Sequence, residues 1–231
     1  MLILDCQVVE GLFVVITLAP KLNAISIGEQ RVILQGITWQ GYQDILRVLP
    51  DHRSSRLTFD NGLLEITVPS QLHEQMSELI GLFIRVLVLE LGLKLKSLRS
   101  TTLNREDLNR GAEPDNAYYI QNYSKVIGKI IDLSQDPPPD LIVEIDITNS
   151  DMDKNRLYAS ICVAEFWRFD GDTWQILVLR ESGYVEVLHS PTFNWIEKED
   201  LYRFLGQARI DEIQAEIDFR SWVRAKQSNI L

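Results

Sequence analysis

The chain has 231 residues, of which 45% are hydrophobic and 24% charged, and its formal net charge is −10. This composition is typical of a soluble globular protein, and no segment approaches the ~20 apolar residues that a membrane span needs. The acidic charge argues against broad contact with nucleic-acid phosphates but is compatible with a local basic patch. Two cysteines are too few for a disulfide framework or a cysteine zinc site, so we expect a cytoplasmic location.

The first third of the chain is predicted to contain strands, a helix and a hairpin. Residues 1–35 predict one or two short strands, QVVEGLFVVITLA and QRVILQG. Acidic residues precede the apolar run 11–19, which therefore favours a strand over a signal peptide. Apolar residues at helical spacing predict a helix over 38–49, with Thr38 as its N-cap. The turn Asp60-Asn61-Gly62 predicts a hairpin over 56–68.

The middle of the chain begins with a long helix. Pro69-Ser70 is expected to open this helix at about residue 71, and Gly92 to end it. Its apolar residues cover most sides, which predicts a central, buried position. The segment 112–122 is predicted to be a turn followed by a short strand. The segment 129–139, KIIDLSQDPPP, is predicted to be a strand and a loop.

A strand over 140–147 is the sharpest prediction. Its odd positions are all apolar, whereas its even positions carry Asp140, Glu144 and Asp146 together with Ile142. A capping-box pattern from Ser150 to Asp153 predicts a helix that continues to about residue 164. After it we expect a strand, a turn at 170–172, a hairpin and a helical tail. Together these elements predict an α/β fold, a mixed sheet flanked by helices.

The charged face of this strand requires a counter-charge, because neighbouring carboxylates repel each other and raise each other's pKa. A divalent metal ion is one solution, since carboxylate oxygens suit Mg²⁺. A further acidic pair, Glu113 and Asp115, lies upstream at the start of another strand. Lys154 lies on the helix stripe that faces the sheet, where an unpaired lysine would be costly. It is therefore predicted to point at the carboxylates.

Three segments, RGAEPDNAYYI, DPPPDLIVEIDIT and RLYASICVAEFWRFDG, resemble the Uma-two family of predicted endonucleases. The segment DNGLLEITVPSQLHEQ is similar to that family's entry into its first core helix, and the resemblance covers about residues 30–190. The family belongs to the PD-(D/E)XK nuclease superfamily with a restriction-endonuclease-like fold. The resemblance thus implies such a core over 36–197, between an N-terminal strand extension, 1–35, and a C-terminal helical tail, 198–231.

The resemblance also implies site residues. It places the first acidic residue of the superfamily at Asp115 and the (D/E)XK acid at Glu144, so that both side chains and the Ile145 carbonyl would hold Mg²⁺ or Mn²⁺. Asp146 stands where the in-strand lysine is expected. Related enzymes supply this lysine from the next helix, which implies Lys154. The helix glutamate of the superfamily would be Glu74, or less well Glu78.

Simpler roles compete with these assignments. Asp140 is expected to start the strand, and His73 to line a helix end rather than to bind metal. Lys129 is the next candidate if Lys154 is not the active-site lysine. The leading interpretation is a metal-dependent endonuclease acting on DNA, with a homodimer expected by resemblance. A catalytically degenerate module that binds nucleic acid or protein, and a hydrolase of smaller phosphate esters, are the alternatives.

Overall fold

The protein is described by a computed structural model that covers residues 28–50, 53–148, 150 and 152–228. The strand predicted within 7–19 lies outside these residues. The described strands are β1 (Gln30–Gln35), β2 (Arg56–Asp60), β3 (Leu63–Val68), β4 (Lys96–Ser97), β5 (Leu103–Arg105), β6 (Arg110–Ala112), β7 (Asn116–Tyr119), β8 (Leu141–Ile145), β9 (Glu165–Phe169), β10 (Trp174–Arg180) and β11 (Gly183–Val187). The helices are α1 (Trp39–Val48), α2 (Gln71–Glu90), α3 (Tyr123–Val126), α4 (Lys154–Ser160), α5 (Lys198–Ala208) and α6 (Glu212–Ser228).

Two sheets organise the chain. The small sheet has five antiparallel strands in the order β1-β3-β2-β6-β5. The main sheet has six strands in the order β11-β10-β9-β8-β7-β4, and within it β8 and β9 run parallel while the other neighbours are antiparallel. A parallel pair needs a crossover connection, and α4 provides it between β8 and β9. The predicted mixed sheet with flanking helices is therefore confirmed.

The two faces of β8 contact different cores. The odd-numbered residues Leu141, Val143 and Ile145 pack with α2, α5 and α6 in the larger core. Ile142, on the other face, packs with Leu157 of α4 in a second core. This division follows from the alternation of side chains along a strand. It directs the Glu144 carboxylate toward α4.

The local signals near the start of the chain are confirmed. Thr38 caps α1 by accepting a hydrogen bond from the Gly41 amide at 3.0 Å. Ser70 caps α2 in the same way, with the His73 amide at 3.1 Å. The predicted hairpin is β2 and β3, in antiparallel register around residues 61 and 62. Gly92 has φ +65°, as expected for the glycine that follows a helix.

The prediction of a strand within 129–139 is wrong, because these residues form turns and irregular structure. The side chain of Asp132 accepts hydrogen bonds from both the amide and the hydroxyl of Ser134, at 2.9 and 2.7 Å, which fixes a turn. Ile130 is 98% exposed, so burial of this side chain in a core does not stabilise an extended conformation here. Prolines 137–139 also lack the N–H groups that a ladder requires.

The helix predicted over 150–164 is shorter at both ends. α4 begins at Lys154 because Asp153, not Ser150, is its cap, accepting from the Arg156 amide at 2.9 Å. The hydroxyl of Ser150 instead accepts from the amide two residues on, at 3.0 Å. Cys162 has φ +62°, a left-handed conformation that cannot continue the helix. The short helix nevertheless keeps Lys154 in its first turn.

The two ends of the described chain pack onto the rest of the protein. β1 pairs along its whole length with β3, from Gln30 opposite Val68 to Gln35 opposite Leu63. The predicted helical tail consists of α5 and α6, which contribute Phe204 and Phe219, respectively, to the larger core and pack against α2. No helix in the described part of the chain is long and apolar enough to span a membrane.

Candidate active site

Asp115 and Glu144 lie side by side on two neighbouring strands of the main sheet. Asp115 directly precedes β7, and Glu144 lies on β8, which is antiparallel to β7 with Asn116 opposite Val143. Oδ2 of Asp115 accepts a hydrogen bond from the backbone amide of Ile145 at 2.8 Å. Both side chains are buried. The sheet therefore fixes the two acids that were predicted to act together.

Lys154 and Tyr158 bind Glu144 from α4. The Nζ atom of Lys154 is 2.7 Å from Oε2 of Glu144 and 2.8 Å from Oδ1 of Asp146. The hydroxyl of Tyr158 donates to the other oxygen of Glu144. Residues four apart on a helix share a face, so one turn of α4 supplies both donors. The predicted lysine thus lies between the carboxylates of Glu144 and Asp146, at the end of β8.

The carboxyls of Glu144 and Asp146 differ in their pKa. Burial raises the pKa of Glu144 to about 7, although the charge of Lys154 opposes this shift. Burial would also raise the pKa of Asp146, but Lys154 and Arg168 outweigh it and lower that pKa to about 2. Burial acts on Lys154 in the opposite sense, and the carboxylates overcome it, so its pKa is raised. Opposite pKa shifts of two neighbouring acids occur at catalytic sites and also in buried ion-pair networks.

His73 connects Asp115 to the start of the small sheet. Its Nε2 atom is 2.7 Å from Oδ1 of Asp115, and its Nδ1 atom is 3.2 Å from Oε2 of Glu29. Burial lowers the pKa of His73, but the hydrogen bonds to the two acids outweigh it and raise that pKa to about 9. The side chain of Arg56 lies alongside, with Nε 3.7 Å from Oδ1 of Asp115. Asp115 therefore sits in a cationic environment.

Two arginines complete the surroundings of Asp146. Arg168 lies on β9, in register with Glu144, and its Nε is 2.8 Å from Oδ2 of Asp146. Arg31 reaches in from β1, with NH2 3.6 Å from Oδ1 of Asp146 and NH1 2.8 Å from Oε1 of Glu65. Arg31 thereby joins the small sheet to the end of β8.

Two nearby acids have structural partners instead. Glu113 accepts hydrogen bonds from the Leu57 amide at 2.9 Å and the Thr102 hydroxyl at 2.6 Å, and pairs with Arg53. Asp140 was expected to start its strand, and its carboxylate accepts from the amides of residues 120 and 122 at 2.7 and 2.9 Å. Both acids hold neighbouring segments in place. Their surroundings differ from those of Glu144, which is bound only by side chains.

Glu74 lies at the rim of the site rather than inside it. Its side chain is 48% exposed and its Oε1 is 3.1 Å from NH2 of Arg56, which separates it from Asp115. Glu78 is also exposed and faces Arg99 at 3.7 Å. Lys129 pairs with Asp136 on the surface, and it contacts none of the site residues. The geometry brings together Asp115, Glu144, Asp146 and Lys154, and leaves Glu74 outside this group.

The donor chemistry of Asp115 and Glu144 fits a divalent cation, because Mg²⁺ and Mn²⁺ prefer carboxylate oxygens. The cavity between the side chains is about 10 Å³, enough for about one water molecule or ion. All four oxygens already accept hydrogen bonds from protein donors. Within the described residues, no three His, Cys, Asp or Glu side chains are arranged as a metal site. Glu144 would therefore have to exchange Lys154 or Tyr158 for a cation.

Several other residues of the site have only weak signals in the sequence, or none. Tyr158 does carry a signal, because its position four residues after Lys154 indicates that the two side chains share a face of the helix. Arg168 could have been found from the parallel register that places it opposite Glu144. Glu29 and Arg31 carry no local signal, because their contacts depend on how the two sheets meet.

A mixed sheet flanked by helices, with α4 as the crossover between its parallel strands β8 and β9, defines a protein of the restriction-endonuclease-like fold. The Uma2 (Uma-two) family, described as "Putative restriction endonuclease", matches residues 39–205. The match spans more than half of the chain, which therefore belongs to this family and confirms the resemblance of its motifs. No curated protein matches the sequence.

Proposed function

We propose that the protein is an endonuclease that hydrolyses phosphodiester bonds of DNA with a divalent cation, Mg²⁺ or Mn²⁺. Asp115, Glu144 and the Ile145 carbonyl would hold the cation. The observation that carries the proposal is the position of Lys154. Its ammonium contacts Glu144 of β8 and Asp146, which follows β8, at 2.7 and 2.8 Å, and would serve in place of the lysine that the strand lacks at Asp146.

The residues of the chain have separable tasks in this proposal. When bound, the cation supplies a Lewis acid and a water molecule of lowered pKa. Lys154 carries the positive charge that would face the negative charge developing on the phosphate. Tyr158 holds one oxygen of Glu144 and so fixes the orientation of this carboxylate. Arg168 holds Asp146, which keeps that acid ionised beside Lys154.

A plasmid-cleavage assay tests the proposal. Supercoiled DNA is incubated with the protein in Mg²⁺, Mn²⁺ or EDTA, together with the Lys154→Ala variant. We expect conversion to nicked or linear DNA with either metal, and none with EDTA or the variant. Linear product formed directly would support a homodimer that cuts both strands. Cleavage that persists in EDTA, or in Lys154→Ala, would contradict the assigned roles.

A second candidate function is binding without cleavage. It is favoured by the complete engagement of the carboxylate oxygens, since a buried and balanced ion network also suits a purely structural role. Oligonucleotide binding without cleavage in any metal would support this alternative. A panel of small phosphodiesters distinguishes the third candidate, a hydrolase of smaller esters, because such an enzyme would cleave the panel and leave plasmid intact.

A further inference from the structure

Glu29 places a carboxylate inside the candidate site from outside the region of the family match. It precedes β1 by one residue, and the ladder of that strand begins only with Gln30 opposite Val68. Its side chain is 0% exposed. It forms an ion pair with Arg31, and its Oε2 is 3.2 Å from Nδ1 of His73. An acid that belongs to no paired strand is thus held by basic side chains of the site.

The binding of this carboxylate leaves polar groups incompletely satisfied. Oε1 of Glu29 is buried and makes no hydrogen bond of good geometry, although Arg31 is close. Nε of Arg56 is also buried without a hydrogen-bond partner and lines the same cavity. Buried polar groups in proteins are nearly always paired. Nε of Arg56 faces Asp115 at 3.7 Å without a hydrogen bond, so this donor is available to an anionic oxygen that replaces the Glu29 carboxylate.

A phosphodiester and a carboxylate make the same bonds to a guanidinium, because both present two anionic oxygens to its fork of N–H donors. The cavity, at about 10 Å³, has no room for a phosphate beside Glu29. The carboxylate therefore has to leave before a phosphate can enter. Its position ahead of the first ladder pair allows this without breaking β1.

We propose that Glu29 occupies a phosphate-binding subsite formed by Arg31, His73 and Arg56, and that a phosphate of the nucleic-acid substrate displaces it. The subsite adjoins Asp115 through the 2.7 Å contact of His73, so a phosphate there lies next to the paired acids. The identity of the substrate rests on the proposed function. The subsite itself is tested with inorganic phosphate.

The first experiment measures thermal unfolding of the full chain in a phosphate titration. Glu29→Gln and Glu29→Ala are compared with wild type at constant ionic strength. We expect a lower midpoint for both variants without phosphate, and a rise with phosphate at least about twice that of wild type. When Arg31→Gln is added to either variant, the additional rise of the unfolding midpoint with phosphate should disappear. A response no larger than that of wild type would overturn the subsite.

Glu90→Gln is the matched control, because the side chain of Glu90 is only 7% exposed, and it holds Arg220 at 2.9 Å and also contacts Arg224, at the opposite end of α2 from His73. Removal of the Glu90 charge leaves Arg220 and Arg224 without their acid, as removal of the Glu29 charge does for Arg31. A phosphate gain of equal size in Glu90→Gln would mean that any freed arginine binds the anion, which would overturn a built subsite.

The second experiment measures binding of a short single-stranded oligonucleotide in EDTA, where no cleavage is expected. Glu29→Gln should bind it several-fold more tightly than wild type, because the competing carboxylate has lost its charge. Equal affinity would overturn the assignment of the subsite to nucleic-acid phosphate. Neither readout requires turnover, so a failure of the nuclease proposal in the plasmid assay remains distinguishable from a failure of the subsite.

Discussion

The ammonium group of Lys154 lies 2.7 Å from the Glu144 carboxylate, in the position that a cation would take beside this acid. The same ammonium contacts Asp146 at 2.8 Å. Together with Arg168, which binds Asp146 at 2.8 Å, this lysine supplies the counter-charge that these two carboxylates require. In the proposed function a divalent cation would compete with this lysine for Glu144, and that competition can be measured.

Lys154→Met should make the stability of the protein depend on divalent cations. Without the ammonium, two buried carboxylates lack their shared cation. The free energy of unfolding in EDTA should therefore fall by about 3–5 kcal/mol. Millimolar Mg²⁺ or Mn²⁺ should restore about 1–3 kcal/mol, more than in wild type. Thermal melting with and without metal measures both effects. Lys129→Met, at a surface pair, is the control, and an equal response in the two variants would exclude a metal site at Glu144.

Glu144→Gln should abolish cleavage and lower stability moderately. The amide keeps the shape of the side chain, but Lys154 loses one of its two carboxylates, which should cost about 1–3 kcal/mol. Loss of a metal ligand should reduce nicking by roughly a thousandfold, or about 4 kcal/mol. Apo melting and nicking are measured on one preparation.

Glu165→Gln is the control for this change. Glu165 is a buried glutamate at the other end of the main sheet, bound by the Trp167 indole at 2.6 Å and the Thr192 amide at 3.1 Å. It should lose similar stability and keep its nicking activity. Normal nicking by Glu144→Gln would remove this residue from the chemistry.

The stability of the wild-type protein should fall between pH 6.5 and about 9, because His73 has its pKa raised from 6.5 to about 9. A group whose pKa is raised by folding stabilises the protein in full at pH values below its pKa in the unfolded chain. This contribution is lost as the pH rises through its pKa in the folded protein. The expected loss is roughly 2–3 kcal/mol. Denaturant unfolding of wild type and His73→Gln across this range measures it. Parallel pH profiles for the two proteins would refute the assignment.

Glu113→Ala should reduce stability without a specific effect on cleavage. The change leaves the Leu57 amide and Arg53 without their acceptor, at a cost of about 1–3 kcal/mol. Nicking should fall only in proportion to the unfolded fraction. A stable Glu113→Ala protein that does not cleave DNA would instead place this acid beside Asp115 in the reaction.

Local patterns in the sequence predicted the part of the site that lies on one stretch of chain. The alternation of β8 and the helical stripe of α4 sufficed to direct Lys154 toward Glu144. Asp115 came from the family resemblance, because a proline–aspartate pair alone is ordinary in turns. Arg31 could not be predicted, since its contact with Thr148 joins residues 117 positions apart and depends on how the sheets pack.

The crossover from β8 through α4 to β9 also affects the order in which the site forms. The Lys154–Glu144 bond closes a loop of 10 residues, whereas the Arg31–Thr148 bond closes one of 117. Chain entropy disfavours the longer closure by about 2 kcal/mol. The lysine half of the site can thus assemble within one short segment, while the half that contains Glu29 and Arg31 forms only when distant parts of the chain meet. Partial unfolding should therefore expose the half that contains Glu29 and Arg31 first, and leave the contact between Lys154 and Glu144 intact.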